Sequence, residues 1–144
     1  MLNVKGTVVQ IMGPVLDIRF PEDSLPELLQ AISVKNGEET IIAEVAQHIG
    51  DNVVRCIAMS STDGLARGAE AENTGAAITV PVGEECLGRV FNLLGQPIDG
   101  GAEIKSAERW PIHRSAPSYE EQETSTEILE TGIKVIDLIC PYAK

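Results

Sequence analysis

Apolar and polar residues alternate through the first half of the chain with the period of strands. Leu16, Ile18 and Phe20 alternate with Asp17 and Arg19, while Val53, Arg55, Ile57 and Met59 alternate with Val54, Cys56 and Ala58, as in half-buried strands. VKGTVVQI (4–11) is a further β-rich run, ended by Gly13-Pro14. Between LQAISV (29–34) and TIIAEVA (40–46) stands Asn36-Gly37, a hairpin signal because both residues tolerate positive φ. Asp63-Gly64 and Arg67-Gly68 mark a loop, and GAAITV (75–80) offers another strand before Pro81. Short strands joined by Gly-containing turns predict a small closed barrel of about six strands over residues 1–80, an architecture that leaves no sheet edge exposed.

The period changes after Pro81. Cys86, Leu87, Val90, Phe91 and Leu94 recur at helical spacing and Gly95 stands where a cap would, so a helix of about three turns is predicted at 84–94. Residues 95–126 contain Pro97, Pro111, Pro117, Gly100-Gly101 and the acidic stretch Glu120 to Glu123, and are expected to be extended and irregular. Thr131 as N-cap, the run GIKVIDLIC with Ile133, Ile136 and Cys140 on one face, and Pro141 as a stop predict a second helix. Residues 81–144 have no run of alternating strands and helices, so they cannot complete a parallel sheet by themselves. They read as the incomplete start of an α/β domain.

Composition narrows the partners. Hydrophobic residues make up 43% of the 144, enough to bury a core, and the chain reads as soluble and globular. Asp and Glu number 22 against 11 Lys and Arg, a net charge of −11 that repels a phosphate backbone and argues against nucleic acid. The acidity serves either as a solvated surface or as an attraction for basic partners. Cys56, Cys86 and Cys140 lie far apart among apolar neighbours and are expected to be buried free thiols of a reducing cytoplasm. His48 and His113 form no pair at helical spacing, so a metal site has little to be built from. MLNVKG resembles no signal or transit peptide, and no apolar run is long enough to insert into a bilayer.

Candidate chemistry is sparse. The phosphate loop G-x-x-x-x-G-K-[ST] occurs nowhere in the sequence, and the Gly-rich stretches 64–68 and 95–101 read as turns. Ser60 and Ser61 sit in no nucleophile elbow, and Asp63, Asp99 and Glu120 to Glu123 give carboxylates with no sign of convergence. His113, between Pro111 and Arg114, reads as a surface or packing residue. No residue is therefore assigned a catalytic, cofactor-binding or metal-ligating role.

Several of these segments together resemble the catalytic beta subunits of bacterial F-type ATP synthases. The resemblance runs through GTVVQIMGPVLDIRF (6–20), AEVAQHIGDNVVRCIAMSSTDGLARG (43–68), ITVPVGEECLGRVFNLLGQPID (78–99), PIHRSAP (111–117) and EILETGIKVIDLICPYAK (127–144), in the family's order. GRVFNLLGQPID and GIKVIDLICPYAK look like the beta rather than the alpha versions of shared motifs, and the chain starts almost at the first strand, without the longer extension usual in alpha. The resemblance implies an N-terminal barrel domain (1–80) and the beginning of a P-loop nucleotide-binding domain (81–144), ending before the loop itself. It implies a parent that makes ATP from ADP and phosphate, coupled to proton transport, peripheral to the cytoplasmic face of the bacterial inner membrane. Alpha subunits in an alternating hexameric ring are the implied partners, with the central stalk gamma subunit met through parts this chain lacks. Magnesium-bound ATP or ADP is the cofactor implied for the intact subunit, and none for this chain, because the family's catalytic residues lie outside it. What carries over is scaffold: Gly13, Pro14 and Asp17 in the barrel, Gly88, Arg89, Gly95 and Pro97 after it, and Gly132 with Asp137 in the last helical segment. The alternative is a stand-alone, non-catalytic assembly module built on the barrel.

Because the resemblance implies that residues 81–144 pack around the central nucleotide domain, Leu87, Phe91, Leu94, Ile133, Ile136 and Ile139 should be left partly exposed without it. Limited proteolysis is expected to cut first between about residues 100 and 126 and to leave a barrel fragment, identified by its mass.

Overall fold

Six strands form the barrel: β1 (Lys5–Met12), β2 (Val15–Arg19), β3 (Gln30–Asn36), β4 (Glu39–Gly50), β5 (Val53–Ala58) and β6 (Glu70–Ala77). The computed structural model describes residues 4–104, 108–122, 125 and 127–143. The strands follow one another around the ring in the order β1-β2-β5-β4-β3-β6, closed by antiparallel pairing of β6 with β1. All six pairings are antiparallel. The expected all-β barrel is therefore present.

Turn chemistry sets the hairpin registers. Gly13-Pro14 joins Met12 to its partner Val15, and Gly13 takes φ +57°. Gly37-Glu38 joins Asn36 to Glu39, with Gly37 at φ +63°. Both loops place glycine first, as type II′ hairpins require. The predicted turn therefore moves by one residue: Asn36 ends β3, and its amide nitrogen donates to the Asp63 carbonyl at 3.0 Å. The third tight loop, Asp51-Asn52, has both residues in the left-handed region at φ 49° and 59°, the dihedral pattern of type I′.

The pleat decides what is inside. Val8, Leu16, Ile18, Phe20, Ile32, Val34, Ile41, Ala43, Val45, Val54, Cys56, Ala58 and Ala71 form one buried cluster. On β5 it is the set Val54, Cys56 and Ala58 that faces inward, leaving Arg55 and Ile57 outside. A register slip by one residue would turn every one of these side chains to solvent. β1 carries an irregularity at Val9, between Val8 and Gln10, where Val8 instead exchanges backbone hydrogen bonds with Gly68 and Ala69 at 2.8 and 3.0 Å. This bulge brings the 61–69 loop against the barrel end.

The last strand departs from expectation. GAAITV does not form one strand: its first three residues end β6, and Thr79–Pro81 makes β7, outside the barrel, paired with β8 (Arg109–Pro111). Glu70, Glu72, Asn73 and Gly75 are weak strand formers, so local propensity hides β6. It forms because β1 and β3 offer it partners on both sides.

The helix expected at 84–94 is absent. A single 3-10 turn spans Glu84–Cys86, Leu87 is extended, and Gly88 has φ +72°. The segment then folds back through a bridge between Phe91 and Pro97. Side-chain hydrogen bonds defeat the helix: Asn92 Oδ1 accepts from the amides of Leu94 and Gln96 at 3.0 and 2.9 Å, which closes a turn. Helical spacing of apolar residues is here the accident of a folded-back loop.

The chain divides into two compact units, Met1–His113 and Arg114–Lys144. Residue 80 thus lies near the end of the barrel's strands, while the following loop packs in the barrel's own unit. The second unit holds a 3-10 turn Tyr119–Glu121, the short antiparallel pair β9 (Ile128–Leu129) and β10 (Tyr142–Ala143), and one helix, α1 (Lys134–Ile139). α1 starts later than predicted, with Ile133 flanking it; Thr131 instead accepts the Ile133 amide at 3.1 Å through its hydroxyl. No helix among the described residues is long and apolar enough to cross a membrane. Glu123 and Lys144 lie outside the described residues.

Gly6 is the tightest point of the barrel wall. A β-carbon there would stand 2.8 Å from both the Arg19 carbonyl oxygen and the Phe20 ring. Gly6→Ala is expected to destabilise the barrel by about 1–3 kcal/mol, the usual range for overpacking, read from the denaturant midpoint at unchanged slope.

Candidate functional site

Asp17 lies on the outer face of β2, directly opposite Arg55 of β5 in the register. The guanidinium donates from Nε to Oδ1 at 2.8 Å and from Nη2 to Oδ2 at 2.9 Å, a bidentate pair. The Asp17 side chain is 5% exposed and that of Arg55 38%, so the arginine stem covers the carboxylate and keeps its own edge wet. Asp17 raises the pKa of Arg55, mainly through these hydrogen bonds. Removing Arg55 would leave a buried carboxylate unpaired, which is costly. Next to the pair, burial pushes the Cys56 thiol up to about 12, with the Asp17 charge adding to it, so this cysteine is inert.

A second cluster straddles the closing seam. Glu70 of β6 is bound by Lys5 of β1 and by Lys35 of β3, the latter at 3.1 Å. The hydrogen bonds from the two lysines hold the Glu70 carboxyl below its usual range. All three groups are exposed to solvent, so the contribution is small and salt-screened.

Beyond the barrel, the loop 83–104 is built on a single ion pair. Arg89 donates to Asp99 at 2.5 Å from Nε and 2.9 Å from Nη2, and the same Nη2 reaches the Ala102 carbonyl at 2.9 Å. Asp99 also accepts from the Gly101 and Val90 amides at 3.0 and 3.3 Å. Gly95 closes the turn against the Pro81 ring at φ +73°, where a side chain would find neither room nor an ordinary backbone conformation. In the second unit Asp137 plays a similar part, accepting from the Thr131 hydroxyl at 2.7 Å and from the amides of Thr131 and Gly132 at 3.0 and 3.1 Å. The Thr131 hydroxyl, then the backbone amides, hold its pKa low.

Several of the groups singled out from the sequence have structural partners. Ser61 donates to Asp63 at 2.7 Å, and Glu121 accepts from the Ser118 amide at 3.0 Å as half of a capping box. His113 meets Glu44 of β4 at 2.9 Å, and His48 meets the Pro26 carbonyl at 2.7 Å, roles that sequence spacing could not reveal because the partners are 69 and 22 residues away. Among the described residues no three His, Cys, Asp or Glu side chains gather to hold a metal. The expectation that all three thiols are buried holds for Cys56 only: Cys86 is half-buried and Cys140 is exposed, because the segments carrying them cover no core of their own.

Among the described residues, large apolar side chains also stand open on the surface. Leu87, Val90, Leu93 and Ile98 in the first unit, and Tyr119, Ile133, Val135, Leu138 and Ile139 in the second, are all more than half exposed, and α1 buries none of its residues. Of the six residues expected to be partly exposed, Leu87, Ile133 and Ile139 are exposed, and Phe91, Leu94 and Ile136 are half-buried. Such surfaces can bind a protein partner.

Residues 8–75 match the model of the ATP synthase alpha/beta family, beta-barrel domain. This stretch runs from Val8 of β1 to Gly75 of β6 and so takes in nearly the whole ring.

Arg89, ahead of the other donors, holds Asp99 well below the usual carboxylate range. A depressed folded value means that the pair's stabilisation is complete above the unfolded pKa and is lost only as pH falls through the lowered one. A carbon-13 carboxyl titration is expected to find Asp99 ionised at about pH 4, where an ordinary aspartate is half protonated. Arg89→Ala should bring its midpoint back toward that ordinary value.

Proposed function

From the match of residues 8–75 to the model of the ATP synthase alpha/beta family's beta-barrel domain, we propose that the chain is the N-terminal portion of the catalytic beta subunit of a bacterial F-type enzyme. The observation that carries the reading is the pairing of a closed, family-type barrel with segments whose apolar side chains stay exposed. A barrel without free edges is suited to stand beside other barrels without fusing into a common sheet. Exposed Leu87, Ile133, Leu138 and Ile139 are suited to be covered by further protein. The beta assignment rests on GRVFNLLGQPID (88–99) and GIKVIDLICPYAK (132–144), which resemble the beta forms.

On this reading the barrel is an assembly module, seated between alpha-subunit barrels in an alternating ring. The nucleotide-binding part of the parent holds magnesium-bound ATP or ADP, and its affinity changes as the gamma stalk turns with proton flow. Differential binding energy between conformations is what couples such a cycle. The complex works at the cytoplasmic face of the membrane, and this chain contributes no catalytic side chain. In the sequence this corresponds to the lack of any G-x-x-x-x-G-K-[ST] loop.

Sedimentation velocity of the chain mixed with purified ATP synthase alpha subunit is expected to show a joint species that neither forms alone. Calorimetric titration of the chain by itself with magnesium ATP should give no saturable heat. Failure to associate with alpha would favour a module for other partners. Micromolar ATP binding, abolished by substitutions within these residues, would overturn the assignment of nucleotide chemistry to the rest of the parent.

A further inference from the structure

The loop that leaves the barrel after Ala77 returns to its own starting point. Ile78, 4% exposed, is buried as the loop departs, and the Ile112 amide donates to its carbonyl at 3.0 Å. β7 and β8 then pair through Thr79 with Pro111, Val80 with Trp110 and Pro81 with Arg109, and Arg109 Nη2 donates to the Thr79 carbonyl at 2.8 Å. Two residues past β8, His113 reaches the barrel wall. Its Nε2 stands 2.9 Å from Glu44 Oε2, and the first compact unit ends at this residue.

Glu44 is an unusual acceptor for an outer-wall residue. Its side chain is 12% exposed, and its register neighbours are Ala31 on β3 and Ile57 on β5, with Ile42 and Ala46 beside it along β4. None of the four offers a side-chain donor, and among the described residues His113 is the hydrogen-bonding partner the carboxylate has. A carboxylate so nearly desolvated needs that donor. An imidazole that carries its hydrogen on Nε2 supplies it.

We propose that the His113–Glu44 pair is a latch that fastens the return end of the loop, residues 108–113, to the barrel. The three-pair β7–β8 ladder is too short to persist alone in water. Ile78 anchors one end and the latch anchors the other. This inference does not depend on which subunit the chain belongs to, since it concerns contacts within one unit.

Amide exchange on the whole chain tests it, comparing His113→Ala, His113→Gln, Glu44→Ala and the double variant. In His113→Ala the Val82 and Ile112 amides, which donate to Glu108 and Ile78, should exchange about tenfold faster while barrel-core amides stay within about twofold. His113→Gln keeps a donor and should recover at least about half of the lost protection. Glu44→Ala should match His113→Ala, and the double variant should add nothing, since one interaction is lost in each. Unchanged ladder exchange in His113→Ala, no recovery with Gln, or additive effects in the double variant would each overturn the latch. Loss of protection throughout the barrel would do so too, because the pair would then be part of the barrel's own stability.

Discussion

Closure of the ring is the constraint on which the molecule depends. Five strands with legible patterns cannot satisfy their outer backbone groups until a sixth joins β1 to β3, and β6 performs this with a sequence that has little strand preference of its own. Its inward Ala71 is fully buried, and Glu70 spans the seam through Lys5 and Lys35 on the two flanking strands. The surface pairs add little energy but fix neighbours, while the backbone ladder supplies the closure. A small residue at Ala71 also leaves the room that Phe20, Ile32 and Leu16 occupy in the shared cluster.

Closure requires some positions to give way. Gly6 lies so close to Phe20 that a β-carbon there would stand 2.8 Å from the ring, and the bulge at Val9 lets Gly68 and Ala69 dock on β1. Asp17 is buried on the outer wall, and every buried side-chain nitrogen and oxygen among the described residues has a partner. The bidentate Arg55 makes Asp17 tolerable, though such a pair adds less to net stability than its geometry suggests. Its larger effect is to hold β2 and β5 in one register, because a slip would strand the carboxylate.

Much of the barrel was readable from its sequence because alternation and turn chemistry are local. Leu16, Ile18 and Phe20 alternate, Gly13 and Gly37 open their hairpins, and β1 to β5 fall close to where the pattern placed them. Asp51-Asn52 carried an equally local turn signal that the alternation around it overshadowed. β6 was obscured because its strand character comes from its neighbours, and the false helix at 84–94 because spacing alone cannot see Asn92 or Asp99 capturing amides. Of the candidate polar groups, Ser61 and Asp63 stand two residues apart, a local pairing that the sequence reading did not draw, whereas the pairings of Asp17, Glu44 and His113 arise from contacts dozens of residues away.

The two units differ in how their polar and apolar groups are used. In the barrel, the inward apolar side chains form one buried core, and Asp17–Arg55 and Glu70 with Lys5 and Lys35 stand as ion pairs on its wall. In the second unit Asp137 binds the Thr131-Gly132 turn and Glu121 caps Ser118, yet Tyr119, Val135, Leu138 and Ile139 stay open. Hydrogen bonds can thus shape a local turn without burying apolar area, but they contribute little net stability on their own. A six-residue helix with no buried side chain draws almost nothing from the hydrophobic effect and falls far below the length at which a helix persists alone in water. The polar groups of α1 fix its shape, and its apolar face then requires a second surface to become stable.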